Sequence, residues 1–240
     1  HADRVRAWLY QAIREARDKR NFTRLYDLAS LYVGELGPAG VAPDVREELA
    51  ACLQAAADHY RKDSPMKRVF MLSLLADVLS GDARGKAALD EALQLGFDAV
   101  AKLPVNQPKA PDRVSPSGRP GLSVVGIENE TEYHLLVFFK GPEQFFVRFN
   151  PFNRGNVALK DGKYSIAVIV TNDQVKPYKG QFTYASQYQF SSYVIVTQGE
   201  ANRHFTPQYV ERDRKLLRAP PGLENLKIDS ETGLVLEEKQ

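Results

Sequence analysis

One cysteine in 240 residues excludes an intrachain disulfide. Cys52 lies in "VREELAACLQAAADHY" at helical spacing from Leu49, Ala56 and Tyr60, the setting of a buried structural thiol rather than a nucleophile. No apolar run approaches the roughly 18–20 residues of a membrane span, so the chain carries no span of that kind. Charge of one sign is missing as well: the net charge is +2. Residues 1–103 hold 15 basic and 15 acidic side chains, and residues 122–196 hold 7 and 6, so no segment has the basic surplus of a nucleic-acid binder. The mild cluster Arg14, Arg17, Lys19, Arg20 and Arg24 is broken by Glu15 and Asp18 and reads as a solvated helix face. None of the four histidines, His1, His59, His134 and His204, pairs with another at the i,i+4 spacing of a helical metal site. The chain also lacks a Gly-x-Ser-x-Gly elbow, a phosphate loop and a dinucleotide fingerprint. These absences predict no catalytic residue, no metal ligand set and no cofactor.

What is present is the composition of a folded protein, 43% hydrophobic and 26% charged. Up to residue 103 the apolar period is helical. "DRVRAWLYQAIREARDK" sets Val5, Leu9, Ile13 and Ala16 on one stripe, and "NFTRLYDLASLYVGELG" does the same with Leu25, Leu28, Tyr32 and Leu36 before Gly37-Pro38. A third helix is predicted from Pro43-Asp44 to about Lys62. A fourth, "MKRVFMLSLLADVLSG", is apolar nearly all round and therefore central, and a fifth begins at Asp82. Residues 104–121, "PVNQPKAPDRVSPSGRPG", include five prolines and two glycines and read as a linker.

From Leu122 the period changes to two. Strands are predicted at 122–128, 133–140, 144–149, 156–160, 163–170, 179–184 and 187–196, separated by turn residues such as Gly141-Pro142 and Asp161-Gly162. Seven short strands suggest an antiparallel sandwich. The predicted fold class is thus α+β and multidomain: an N-terminal all-α helical bundle or helical-hairpin stack (1–103), the linker, an antiparallel β-sandwich (122–196) and a C-terminal arm (197–240). The arm ends in a predicted hairpin across Leu226, Ile228, Leu234 and Leu236, which must pack on something because a lone hairpin is marginal. Strand 133–140 is apolar on both sides, and the remainder of the chain is expected to cover the side carrying Leu136 and Phe138.

The pattern Asn129-x-Thr131-x-Tyr133, then Gly141-Pro142, then Leu159-x-x-Gly162-x-Tyr164 and Pro177-Tyr178-x-Gly180 resembles small bacterial extracytoplasmic β-sandwich domains of immunoglobulin-like or transthyretin-like type. The resemblance covers roughly 122–196 and rests on turn and core residues. It implies a periplasmic or secreted accessory module, and no reaction.

Two loops carry residues that a turn does not require. "NPFNRGN" places Phe152 and Arg154 between turn formers, and "NDQVKPYKG" places Lys176, Tyr178 and Lys179 around a proline. Aromatic and cationic side chains on stiff loops suit recognition of an acidic or glycan surface. The plainer reading is that Phe152 and Tyr178 plug the open ends of a sandwich. The sequence therefore supports a non-catalytic binding or assembly module with a protein or cell-envelope glycan partner, and no nucleic acid. A hydrolase using carboxylates in a cleft between the domains stands as the alternative.

Overall fold

A computed structural model describes residues 2–36, 42–102, 111, 113–172, 174–193, 215–223, 225–229 and 234–236. The chain divides into two compact units, His1–Ala99 and Val100–Gln240.

The first unit holds five helices: α1 (Ala2–Asp18), α2 (Phe22–Leu36), α3 (Pro43–His59), α4 (Pro65–Val78) and α5 (Ala83–Lys102), the last running three residues past the division. Each boundary has a local cause. Arg20 takes a left-handed φ of 51° after α1, and Asn21 N–H bonds back to Ala16 O (2.8 Å), closing the helix as glycine more often does. Asn21 Oδ1 then accepts from Arg24 N–H (3.1 Å) and caps α2. Ser64 Oγ accepts from Lys67 N–H (3.4 Å), and Pro65 opens α4. The apolar circumference of α4 places it at the centre, with Val69, Phe70, Met71, Leu72, Leu74 and Leu75 all buried. Leu25 and Tyr26 of α2 and Leu49 and Leu53 of α3 are buried as well, and both helices pack on α4.

The second unit contains two sheets and a short hairpin. Its strands are β1 (Arg113–Pro116), β2 (Leu122–Asn129), β3 (Leu135–Lys140), β4 (Gln144–Phe149), β5 (Arg154–Lys160), β6 (Gly162–Val170), β7 (Tyr178–Tyr184), β8 (Gln187–Tyr193), β9 (Lys215–Arg218), β10 (Lys227–Ile228) and β11 (Val235–Leu236). One sheet has the order β1-β8-β2-β5-β9, the other β4-β3-β6-β7, and β10 pairs with β11. The first sheet corrects the antiparallel expectation: β8 runs parallel to β2, and β9 parallel to β5. Parallel neighbours need a long connection. Here the chain supplies it by passing through β3 to β7 before β8 returns beside β2. β1 lies within the proline-rich stretch expected to be a linker and pairs with β8. The expected strand residues 194–196 and the arm at 197–214 lie outside the described residues.

Val125, Ile127, Val157 and Leu159 from the five-stranded sheet share one hydrophobic core with Leu135, Val137, Phe139, Phe149, Tyr164, Ile166 and Val168 from the four-stranded sheet. The five-stranded sheet is apolar on its other face too. There Leu122, Val124, Ala158 and Tyr188 pack under Leu216, Leu223, Leu226, Ile228 and Val235. The terminal hairpin thus finds the support it needs, and Val235 N–H bonds to Ser117 O (2.9 Å). Leu136 and Phe138, on the second side of β3, are also buried within this chain.

The turn at Gly141-Pro142 fits only because Gly141 has no side chain. A Cβ there would lie 2.5 Å from Lys163 O and 2.8 Å from the Tyr164 ring.

Removing residues 197–240 uncovers Leu122, Val124 and Tyr188. The truncated chain is expected to lose cooperative unfolding in the second unit and to bind a hydrophobic dye at neutral pH. Calorimetry and dye fluorescence check this, and a truncated chain with an unchanged upper transition contradicts the covering role of β9 to β11.

Candidate binding surface at one end of the two sheets

Strand register decides which loops meet. Leu135 of β3 pairs with Phe149 at the end of β4 and with Val170 at the end of β6. Glu128 of β2 faces Arg154 at the start of β5, Val168 faces Tyr178 at the start of β7, and Asn129 faces Tyr193 at the end of β8. The connections β2–β3, β4–β5 and β6–β7 therefore share one end of the unit, and the two candidate loops are brought to the same side.

Asn129 organises this end. Its side chain is fully buried, and all its hydrogen-bonding capacity toward neighbours is engaged. Nδ2 donates to Tyr133 O (2.8 Å) and Asn150 O (2.9 Å), while Oδ1 accepts from Thr131 N–H (3.1 Å) and the Thr131 hydroxyl (2.7 Å). The Asn129 backbone N–H donates to Asn153 O (2.9 Å), and Phe152 N–H donates to Thr131 O (3.2 Å). Only Asn, with two donors and an acceptor on a short stem, ties the β2–β3 and β4–β5 connections together in this way. The Asn129-Glu130-Thr131 sequon is thus a structural knot rather than an exposed glycan acceptor.

The knot holds Phe152 in a left-handed conformation, φ 51°, with 46% of its surface exposed. A non-glycine residue there costs roughly 1–2 kcal/mol. Arg154 is half-buried at the start of β5. On the other loop, Asn172 Oδ1 accepts from Gln174 N–H (2.9 Å) and tightens the turn, and Val175 N–H bonds to Asn172 O (3.1 Å). Lys176 and Lys179 are exposed. Tyr178 is half-buried against the core and meets the Tyr193 ring edge-on at 5.8 Å. Burial holds the Tyr193 hydroxyl well above its ordinary pKa. Tyr193 and Asn129 lie outside the two candidate loops. The Asn-x-Thr-x-Tyr spacing was the available signal for Asn129.

The opposite end holds two carboxylates tied into the structure, Asp161 and Glu143. Burial pushes the Asp161 carboxyl up, but the Ser123 (2.6 Å) and Ser186 (2.7 Å) hydroxyls donate to it, and the balance lies below the ordinary carboxylate value. Burial likewise opposes ionisation of Glu143, and Arg218 outweighs it with two bonds (3.1 and 3.3 Å), helped by Lys160 N–H (3.1 Å). Arg218 also lies 3.4 Å from the Phe145 ring centroid. Tyr164 is pushed up to about 12 by burial and by Glu143. Both carboxylates therefore act as fixed acceptors joining β9 and the turns to the sheets.

In the helical unit, a groove of about 410 Å³ is floored by Leu72, Leu75 and Leu79, with Glu47 and Arg84 on its rim. Arg84 grips Glu47 with two bonds (2.8 and 2.9 Å) and holds its carboxyl below the ordinary value. Cys52 is buried, and burial raises its pKa against the pull of Arg17. Among the described residues, no group of three or more His, Cys, Asp and Glu side chains is placed to hold a metal ion, and no helix is long and apolar enough to cross a membrane.

No protein-family model, curated protein or solved structure matches the chain.

Asn129→Ala is expected to destabilise the second unit by at least about 2 kcal/mol, because each buried group left unpaired costs about 1–3 kcal/mol. Urea denaturation measures this. The lowered carboxyls set a pH dependence. Their stabilisation is complete above the unfolded carboxylate pKa, about 4, and is lost as pH falls through the lower folded values. Denaturation midpoints at pH 7, 5 and 3 are expected to drop only over the last interval, and less so in Asp161→Asn.

Proposed function

We propose that the chain is a non-catalytic, extracytoplasmic binding or assembly module of a bacterial envelope, with a protein or cell-envelope glycan as its partner. One observation carries the reading: a buried asparagine knot spends stabilising interactions to hold an exposed Phe152 in a strained backbone conformation. Strain of this kind persists where the surroundings impose it, and it clusters at sites of recognition. By strand register Arg154, Lys176, Tyr178 and Lys179 lie at that same end, so the exposed Phe152 and several cationic groups share one end of the unit. Loops of a rigid scaffold are the usual place for recognition. The extracytoplasmic assignment rests on the resemblance of residues 122–196.

Phe152→Gly separates binding from plugging. Glycine relieves the left-handed strain, so a binding role predicts a folded chain at least as stable as wild type, and up to about 1 kcal/mol more stable. The same variant, and Lys176→Glu with Lys179→Glu, are expected to lose co-sedimentation with purified peptidoglycan or cross-linking to a purified envelope partner. A plug predicts the reverse: lower stability and unchanged retention.

A further inference from the structure

Among the described residues the two large sheets end in four edge strands: β1 and β9 on one, β4 and β7 on the other. An edge is a row of unpaired backbone groups, and proteins guard such rows with short strands, proline, charge or cover. Two of the four are short, and a third is capped at its start. β1 and β9 have four residues each, and β1 ends in Pro116. Beside β4, Arg218 reaches over from β9 to Glu143 and onto the Phe145 ring. Of these devices β7 has one lysine, Lys179, and among the described residues no other. It runs for seven residues, Tyr178–Tyr184, without proline. It pairs with β6 in unbroken register along its whole length. Lys179 is its one charged residue. Lys179, Gln181 and Thr183 are exposed on one face, and Tyr178, Phe182 and Tyr184 point to the core face with Gly180 between the first two.

We infer that β7 pairs antiparallel with β7 of a second copy of this chain, joining two four-stranded sheets into one of eight strands. The sequence of the strand selects both the partner and the register. In a two-fold pair, residues directly opposite share a face, so the axis passes through a residue. An axis through Gln181 uses all seven positions. It sets Gly180 opposite Phe182 twice, Tyr178 opposite Tyr184 twice and Lys179 opposite Thr183 twice. An aromatic ring lying over a cross-strand glycine covers the backbone that glycine leaves bare. Aromatic pairs across the strands add stabilisation, and no like charges meet. An axis through Lys179 would oppose two ammonium groups, and axes through Gly180 or Phe182 leave strand residues without partners. The contact is isologous and closes on itself, which gives a dimer rather than a filament. Its area is that of one strand pair, so the dimer dissociates on dilution.

The register is tested in the full chain with Gln181→Cys. The position is exposed, so the variant folds, and the chain's own Cys52 is buried. Directly opposed residues in an antiparallel pair lie within disulfide reach. Under mild oxidation Gln181→Cys is expected to give a covalent dimer, Lys179→Cys alone far less, and Lys179→Cys mixed with Thr183→Cys a covalent heterodimer. Sedimentation velocity of wild type is expected to show a concentration-dependent dimer. Gln181→Lys, which sets two cations on the axis, is expected to weaken it about tenfold or more. A wild type that stays monomeric at every concentration overturns the inference. So does equal cross-linking of the Gln181→Cys and Lys179→Cys variants, which would place the contact on another surface. Tyr178 and Lys179 belong to the proposed binding surface as well, so Gln181→Lys, which lies outside it, separates the two: loss of the dimer with retention on purified peptidoglycan unchanged supports this inference independently of the binding role.

Discussion

Val124 and Val125 are neighbours in β2, point to opposite faces of the sheet, and are both buried. A strand in that position needs cover on two sides, and the second unit is arranged to supply it. The four-stranded sheet covers one face. Leu216, Leu223, Leu226, Ile228 and Val235 cover the other, from β9 beside β5, from the connection after it and from the β10–β11 pair tied to Ser117. Each apolar CH₂ buried there contributes about 0.8 kcal/mol. Short elements with little stability of their own, such as β10 and β11, become ordered because the face beneath them is apolar.

The same arrangement explains the distribution of polar groups. Two clusters of buried hydrogen bonds lie at the two ends of the sheets, where strands give way to turns. At one end the neutral Asn129 side chain joins two loops. At the other, ionised Asp161 and Glu143 accept from hydroxyls, a guanidinium and a backbone amide. A neutral knot holds its geometry at any pH, whereas the carboxylate anchors depend on remaining ionised. The loop that carries Phe152 is therefore held by a neutral side chain rather than by a carboxylate.

Much of this fold was legible in the sequence where local rules suffice. Alternation from Leu122 onward located seven strands to within two residues at nearly every described boundary, and helical stripes located five helices. The all-round apolar "MKRVFMLSLLADVLSG" marked the central helix. What escaped had non-local causes. β1, "RVSP", and β9, "KLLR", are too short to show a period and exist through their neighbours. The parallel pairings follow from the order in which remote strands dock, which no window of sequence contains. At the candidate site, turn chemistry identified the loops and their unusual residues. It did not show that strand register brings both loops to one end, or that Phe152 is held with positive φ.

The cover on the second face also sets an order of events in time. β2 and β8 pair across nearly sixty intervening residues, and β9 to β11 settle on a surface that those strands create. Distant contacts of this kind are slow to form. During synthesis, Leu122, Val124 and Tyr188 face water until residues 215–236 have been made. For that interval the nascent chain presents the apolar face of a sheet to solvent. Its maturation is gated by the emergence of a short C-terminal stretch rather than by completion of the sheets themselves.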